Sequence, residues 1–184
     1  MVQIPFALKS FPGTTSKFSI TGDIIRDRES LCLHYHLQGP MQSLTLPPPA
    51  RPPQRCDELW TGTCFELFLA RQGRRAYTEV NLSPAGYWNV YRFDEYRQGM
   101  RAAPGYPAPA ITVTQDERQL DLSTRLNLSV LGLADAPLQV AANAVLLDTQ
   151  QQRQYWALGH PQPTPDFHHR DGFLLRLPGY NGVE

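Results

Sequence analysis

Residues 60–100 read WTGTCFELFLARQGRRAYTEVNLSPAGYWNVYRFDEYRQGM, and their alternation decides the fold. Phe65, Leu67 and Leu69 alternate with Cys64, Glu66 and Phe68; after the loop RQGRR, Thr78, Val80 and Leu82 alternate with Tyr77, Glu79 and Asn81. A period of two marks a strand with one face buried, so the segment reads as an antiparallel hairpin. Ser83-Pro84-Ala85-Gly86 then leads into a third strand. Its proline at the second turn position and glycine at the fourth suit a type I turn closed by a glycine bulge.

Burying the apolar set together narrows the register. With Phe65 across from Val80 and Leu67 across from Thr78, the loop is Arg71–Arg74 and Glu66 falls directly opposite Glu79. A slip of two residues sets Glu66 against Asn81 and leaves the same face outward. The first register is the expectation, and paired glutamates then require a proton, a cation, an arginine or a hydrogen-bonding ligand between them. Pairing Val80 with Val90 keeps both in the core and puts Asn89 and Tyr91 beside Asn81 and Glu79. The polar face then carries Glu66, Tyr77, Glu79, Asn81, Asn89 and Tyr91. Hydroxyls and amides around carboxylates are what sugar hydroxyls need, since each both donates and accepts; a merely solvated sheet face would look similar.

Outward from this block the chain keeps the same character. Strands are expected around Val2–Leu8, Lys17–Ile25, Ser30–Leu37, Ala110–Thr114, Gln119–Leu128, from Val140, Tyr155–Gly159 and Gly172–Leu177, with one helical turn ending at Gly132. The 17 prolines and 13 glycines fall in short clusters such as PPPARPP at 47–53 and APGYPAP at 103–109, which mark turns and stiff loops. At 184 residues the chain is expected to form one domain spanning 1–184.

The totals exclude several classes. Seventeen basic and seventeen acidic residues give zero formal net charge, so no general field attracts nucleic acid or an anionic membrane. No segment approaches the roughly 18 consecutive apolar residues of a membrane helix, and the N-terminus has no basic region leading into an apolar run; a cytoplasmic protein is expected. Cys32, Cys56 and Cys64 are odd in number and lack CxxC spacing, so they read as reduced thiols. His34 and His36 share a strand face, and His160, His168 and His169 crowd one loop; a polar surface explains both groups without a metal. No Walker loop, dinucleotide fingerprint, nucleophile elbow or HExxH occurs.

Three stretches, ELWTGTCFELFLA, YTEVNLSPAGYWNVYRFDEYRQGM and YWALGHPQPTPDFHHRDGFLLRL, together resemble the bacterial DOMON-like domains related to carbohydrate-binding module family 9. The likeness implies an all-β antiparallel sandwich of jelly-roll or immunoglobulin-like architecture, with roughly 9–11 strands and long Pro-rich loops. It also implies a non-catalytic role in binding a sugar or, in some branches, haem. Sugar-binding members cover the sugar with aromatic rings; of Trp60, Trp88 and Trp156, the register puts Trp88 in the core, leaving Trp60 and Trp156 for the ligand. Haem would need axial ligands such as Met100 and a histidine, and no CxxCH attachment is present. Some relatives carry calcium, but no EF-hand spacing appears.

The expected function is therefore a small polar ligand, most simply a carbohydrate, bound on the face bearing Glu66 and Glu79. Two rivals remain. A hydrolase could use these residues as acid and base or nucleophile, since retaining glycosidases hold their carboxyls about 5–5.5 Å apart. A structural or interaction module would leave them solvated or paired with Arg92 or Arg97.

Overall fold

The computed structural model describes residues 1–180, and they form an almost all-β fold. In chain order the strands are β1 Val2–Ser10, β2 Ser19–Arg26, β3 Ser30–Gln38, β4 Gln54–Arg55, β5 Cys64–Arg71, β6 Tyr77–Leu82, β7 Tyr87–Phe93, β8 Arg101–Ala102, β9 Ile111–Gln115, β10 Gln119–Asn127, β11 Leu138–Leu147, β12 Arg153–Ala157 and β13 Leu175–Leu177. The two-residue strands β4 and β8 exceed the expected set because two residues carry no periodicity, and β13 is the end of the strand expected at Gly172–Leu177. The helical turn α1, Leu128–Leu131, is capped by the Asn127 side chain and ends on Gly132 at φ 71.

Two layers face each other as a β-sandwich. One runs β1-β2-β3-β10-β9, the other β12-β11-β5-β6-β7-β4, with β8 flanking β7 and β13 flanking β11. Strand β1 belongs to both: most of it pairs β2, while Lys9 and Ser10 pair Ala157 and Trp156 of β12. Between the layers lie the alternating apolar residues of each strand, among them Leu33, Tyr35, Phe65, Leu67, Val80 and Val90. Burial of that surface is the main favourable term in folding. Tyr35 crosses the core and donates its hydroxyl to the Glu66 carbonyl at 2.6 Å, tying one layer to the strand that carries the site.

At one place the packing demands glycine in a strand. Gly22 pairs with Phe6, and a Cβ there would lie 2.4 Å from the Phe6 ring and 2.2 Å from the His34 carbonyl oxygen. Gly22→Ala is expected to cost about 1–3 kcal/mol of stability through overpacking. A urea midpoint equal to that of the unsubstituted protein would refute the close approach.

The β5–β6 register differs from the expectation. Phe65 pairs Leu82, Glu66 pairs Asn81 and Phe68 pairs Glu79, which is the register slipped by two residues. Glu66 and Glu79 are therefore diagonal neighbours, with an amide directly opposite one and a ring opposite the other. The slip avoids setting two carboxylates at the closest cross-strand distance. The β6–β7 pairing is as expected, Val80 to Val90, Glu79 to Tyr91 and Asn81 to Asn89, and Gly86 takes the positive φ of 88 that the bulged turn needs.

A buried arginine fastens the far end of the sandwich. Arg26, fully enclosed, donates from Nη1 to the Pro178 carbonyl at 2.8 Å and from Nη2 to those of Ala134 and Ala136, both at 2.9 Å. On the exposed side of β3, His34 and His36 both reach Asp121 Oδ1, at 3.1 and 2.8 Å. Among the described residues no group of three or more His, Cys, Asp or Glu is arranged to hold a metal ion.

Candidate functional site

The polar face of the β11-β5-β6-β7 layer is covered. The segment between β12 and β13 folds back across it and lays Phe167, His168 and Phe173 against Phe68, Tyr77 and Phe93. Between this cover and the turn holding Trp60 lies a cavity of about 490 Å³. Glu66 and Glu79 line it from the sheet; Trp60, Phe93, Tyr155 and Phe167 supply aromatic surface, with Arg97, Met100 and Arg153 also lining it. A space of this size holds one or two sugar rings or a comparable small molecule.

The register sets the inner wall row by row. Asn143, Glu66, Asn81 and Asn89 stand side by side across four strands, and the next row is Ala141, Phe68, Glu79 and Tyr91. These side chains are buried, including both carboxyls, with Glu66 2 % and Glu79 3 % exposed. Glu79 Oε1 accepts from Asn81 Nδ2 at 2.9 Å. Glu66 Oε1, Asn81 Oδ1 and Asn143 Nδ2 have no hydrogen-bond partner among the described residues. Unsatisfied polar atoms are costly in a folded protein, and a cluster of them beside a cavity points to a missing partner.

The electrostatics follow from the enclosure. Burial, reinforced by the neighbouring Glu79 charge, drives the Glu66 carboxyl well above the usual range. Burial pushes Glu79 up to about 7, against the Asn81 amide and the Arg97 charge, which pull it down. Arg97 itself is engaged by Asp166 at 2.9 Å, and Asp166 also accepts from the Tyr96 hydroxyl at 2.6 Å. Among the described residues no arginine forms an ion pair with either glutamate; Arg92 donates instead to the Val130 carbonyl. Burial lowers His168 to about 4, so its ring is neutral at pH 7. The Tyr77 hydroxyl accepts from the Arg97 backbone N–H at 3.2 Å and shares a hydrogen bond with His168 Nδ1 at 2.8 Å. The other ring nitrogen of His168, Nε2, faces Glu79 Oε2 at 3.9 Å.

The eight residues singled out from the sequence divide into three groups. Glu66, Glu79 and Trp60 meet at the cavity, with Asn81 bonded to Glu79 beside it. Tyr77, Asn89 and Tyr91 share the same face but are committed elsewhere. Asn89 binds Arg55 and Asp57, Tyr91 donates to Asp57 at 2.6 Å, and Tyr77 holds His168. Trp156 points the other way, into the core between the layers, because the β12 residue on the cavity face is Tyr155. Sequence reasoning passed over Tyr155 and Phe167 as cavity residues; it weighed His168 only as a metal ligand and Arg97 only as a partner for the glutamates. One signal was available for Asn143, a lone amide inside the apolar run VAANAVLLD.

Fold and cavity together define a β-sandwich with a covered pocket on one sheet face. Among solved structures the fold is shared with a protein from Bacteroides uniformis whose assignment as carbohydrate-binding is provisional, at a TM-score of 0.63 and 12% identity over 93% of this chain and 83% of that one. It is shared also with a carbohydrate-binding module of family 9 from Caldicellulosiruptor kristjanssonii. The structure of that module with glucose matches at a TM-score of 0.53 and 12% identity, covering 82% of this chain and 72% of that one. Its cellotriose complex matches at 0.52 and 11%, covering 82% and 70%. No protein-family model matches the chain, and no curated protein matches it by sequence.

Proposed function

We propose that the chain is a non-catalytic carbohydrate-binding module, a member of the DOMON-like domains related to carbohydrate-binding module family 9, and that its ligand occupies the cavity between Trp60 and the 159–174 cover. The observation that carries this is an aromatic-walled cavity with two buried carboxyls, one keeping an unpartnered oxygen. Aromatic faces take the C–H surfaces of a sugar, and the carboxyl and amide groups take its hydroxyls. The solved structures of like fold include modules in complex with glucose and cellotriose, which favours a sugar over other polar ligands.

A glycosidase would use Glu66 and Glu79, diagonal neighbours on one face of adjacent strands, as acid and nucleophile or base; the non-catalytic reading has them bind the sugar instead. Steady turnover of an aryl glycoside that disappears in Glu66→Gln would overturn this reading.

The direct test is isothermal titration with glucose, galactose and cello-oligosaccharides. Trp60 is half-buried in a single 3₁₀ turn and packs edge-on against Tyr91 at 5.9 Å, so its removal leaves the core intact. Trp60→Ala is expected to weaken sugar binding by about 2 kcal/mol, roughly thirtyfold, with little change in melting temperature. Unchanged affinity would remove Trp60 from the site.

A further inference from the structure

From the balance of donors and acceptors at the cavity wall, we infer that the ligand is an amino sugar, held by an ammonium group against Glu66 and Glu79. This rests on the carbohydrate reading above and deepens it. The wall presents acceptors in excess: Glu66 Oε1 and Asn81 Oδ1 are buried without partners against the single unpartnered donor Asn143 Nδ2, and Glu79 Oε2 makes no hydrogen bond among the described residues, with His168 Nε2 standing 3.9 Å away. A neutral hydroxyl brings one proton and two lone pairs, so it leaves most of these oxygens unsatisfied. An ammonium brings three donors and no acceptor, and it also matches the charge.

The positive groups nearby do not already fill that role. The Arg97 charge is matched by Asp166, the neutral His168 ring carries a single proton, and Arg153 is exposed at the rim, donating to the Thr61 carbonyl at 2.9 Å. Without a cation, two buried carboxyls side by side relieve their repulsion by holding a proton. An ammonium takes that proton's place, and four aromatic rings around it suit a cation as well as a sugar face.

Binding should therefore expel a proton. The titratable and charged groups facing the pair are Tyr35 and Cys64 beside Glu66, and Tyr77, Tyr91, His168 and Arg97 with Asp166 beside Glu79. Burial raises the tyrosines and the cysteine and lowers His168, so near neutral pH the carboxyls are the groups that release it.

Three β-1,4-linked trisaccharides that differ only at C2, bearing hydroxyl, amine or N-acetyl, separate the possibilities by titration calorimetry of the full chain at pH 5.5, where the free amine already carries its proton and any proton released comes from the protein. The amine is expected to bind at least about tenfold more tightly than the other two. Its heat is expected to change between buffers of different ionisation enthalpy, as proton release requires. In Glu66→Gln, and independently in Glu79→Gln, the amine should lose at least about tenfold more affinity than the hydroxyl sugar, so that the preference disappears. Equal affinity for hydroxyl and amine in the unsubstituted protein, or no proton release, overturns the inference and leaves the carbohydrate reading standing. Failure of all three sugars to bind overturns both. An equal loss for hydroxyl and amine in the two variants, with folding intact by circular dichroism, shows the carboxyls reading hydroxyls alone and overturns the amine.

Discussion

At pH 8 and without ligand, Glu66→Gln is expected to be more stable than the unsubstituted protein, with the difference shrinking as pH falls towards 5. The sign follows from the direction of the shift. Glu66 is held well above the ordinary carboxyl range by burial and by Glu79. In the folded protein it keeps a proton that the unfolded chain releases, so folding loses ground as pH rises past about 4.5, at up to about 1.4 kcal/mol per pH unit. Glu79, raised to about 7, adds a loss that is complete a little above that pH. His168 works in the opposite sense. Its pKa is lowered to about 4, so its contribution is full above its ordinary 6.5 and is lost as pH falls from there. Between pH 4.5 and 6.5 these effects partly cancel; above pH 7 the remaining slope belongs to Glu66 until the buried Cys64 thiol, raised in the same sense, joins it above about pH 8. Urea denaturation at pH 7, 7.5 and 8 should show the decline in the unsubstituted protein and a nearly flat profile in Glu66→Gln. A decline that persists in the variant would show that Glu66 is not the group responsible.

The second large effect lies at the other end of the sandwich. Arg26→Met is expected to cost about 3–5 kcal/mol, because it leaves the carbonyls of Ala134, Ala136 and Pro178 buried without a donor and removes a charge-assisted bond from each. Arg26→Lys keeps the charge but has no planar fork to reach separate strands of the chain, so it should recover only part of the loss. Urea midpoints with an unchanged m-value measure both. Loss below 1 kcal/mol for Arg26→Met would mean that water replaces the guanidinium.

Alternation made the layers readable in advance. Tyr35, Leu67, Val90 and Trp88 lie inside as the period of two requires, and the bulged turn at Gly86 fixed β6 against β7. What alternation could not decide was a slip of two, which preserves every inside and outside; the loop from Gln72 to Arg75 and the partner Asn143 on β11 bear on that choice, and neither speaks through local pattern. The cover was equally silent. Phe167 and His168 sit in a proline-rich loop without periodicity, and only the long-range closure of β12 and β13 against β11 brings them over Glu79. Trp156 shows the same limit within a strand, where a shift of one residue between Tyr155 and Trp156 separates cavity from core.

Strand β1 joins the two layers, and this has a consequence for how the molecule is made. Its last residues, Lys9 and Ser10, pair with Ala157 and Trp156, which leave the ribosome later by about ten seconds at ordinary rates of synthesis. The β5-β6-β7 meander can pair locally as soon as it emerges, whereas the seam between the layers must wait for β12. A nascent chain arrested before residue 153 should therefore hold the inner wall of the cavity with one margin of the sandwich open, and protease should cut it where the finished protein resists.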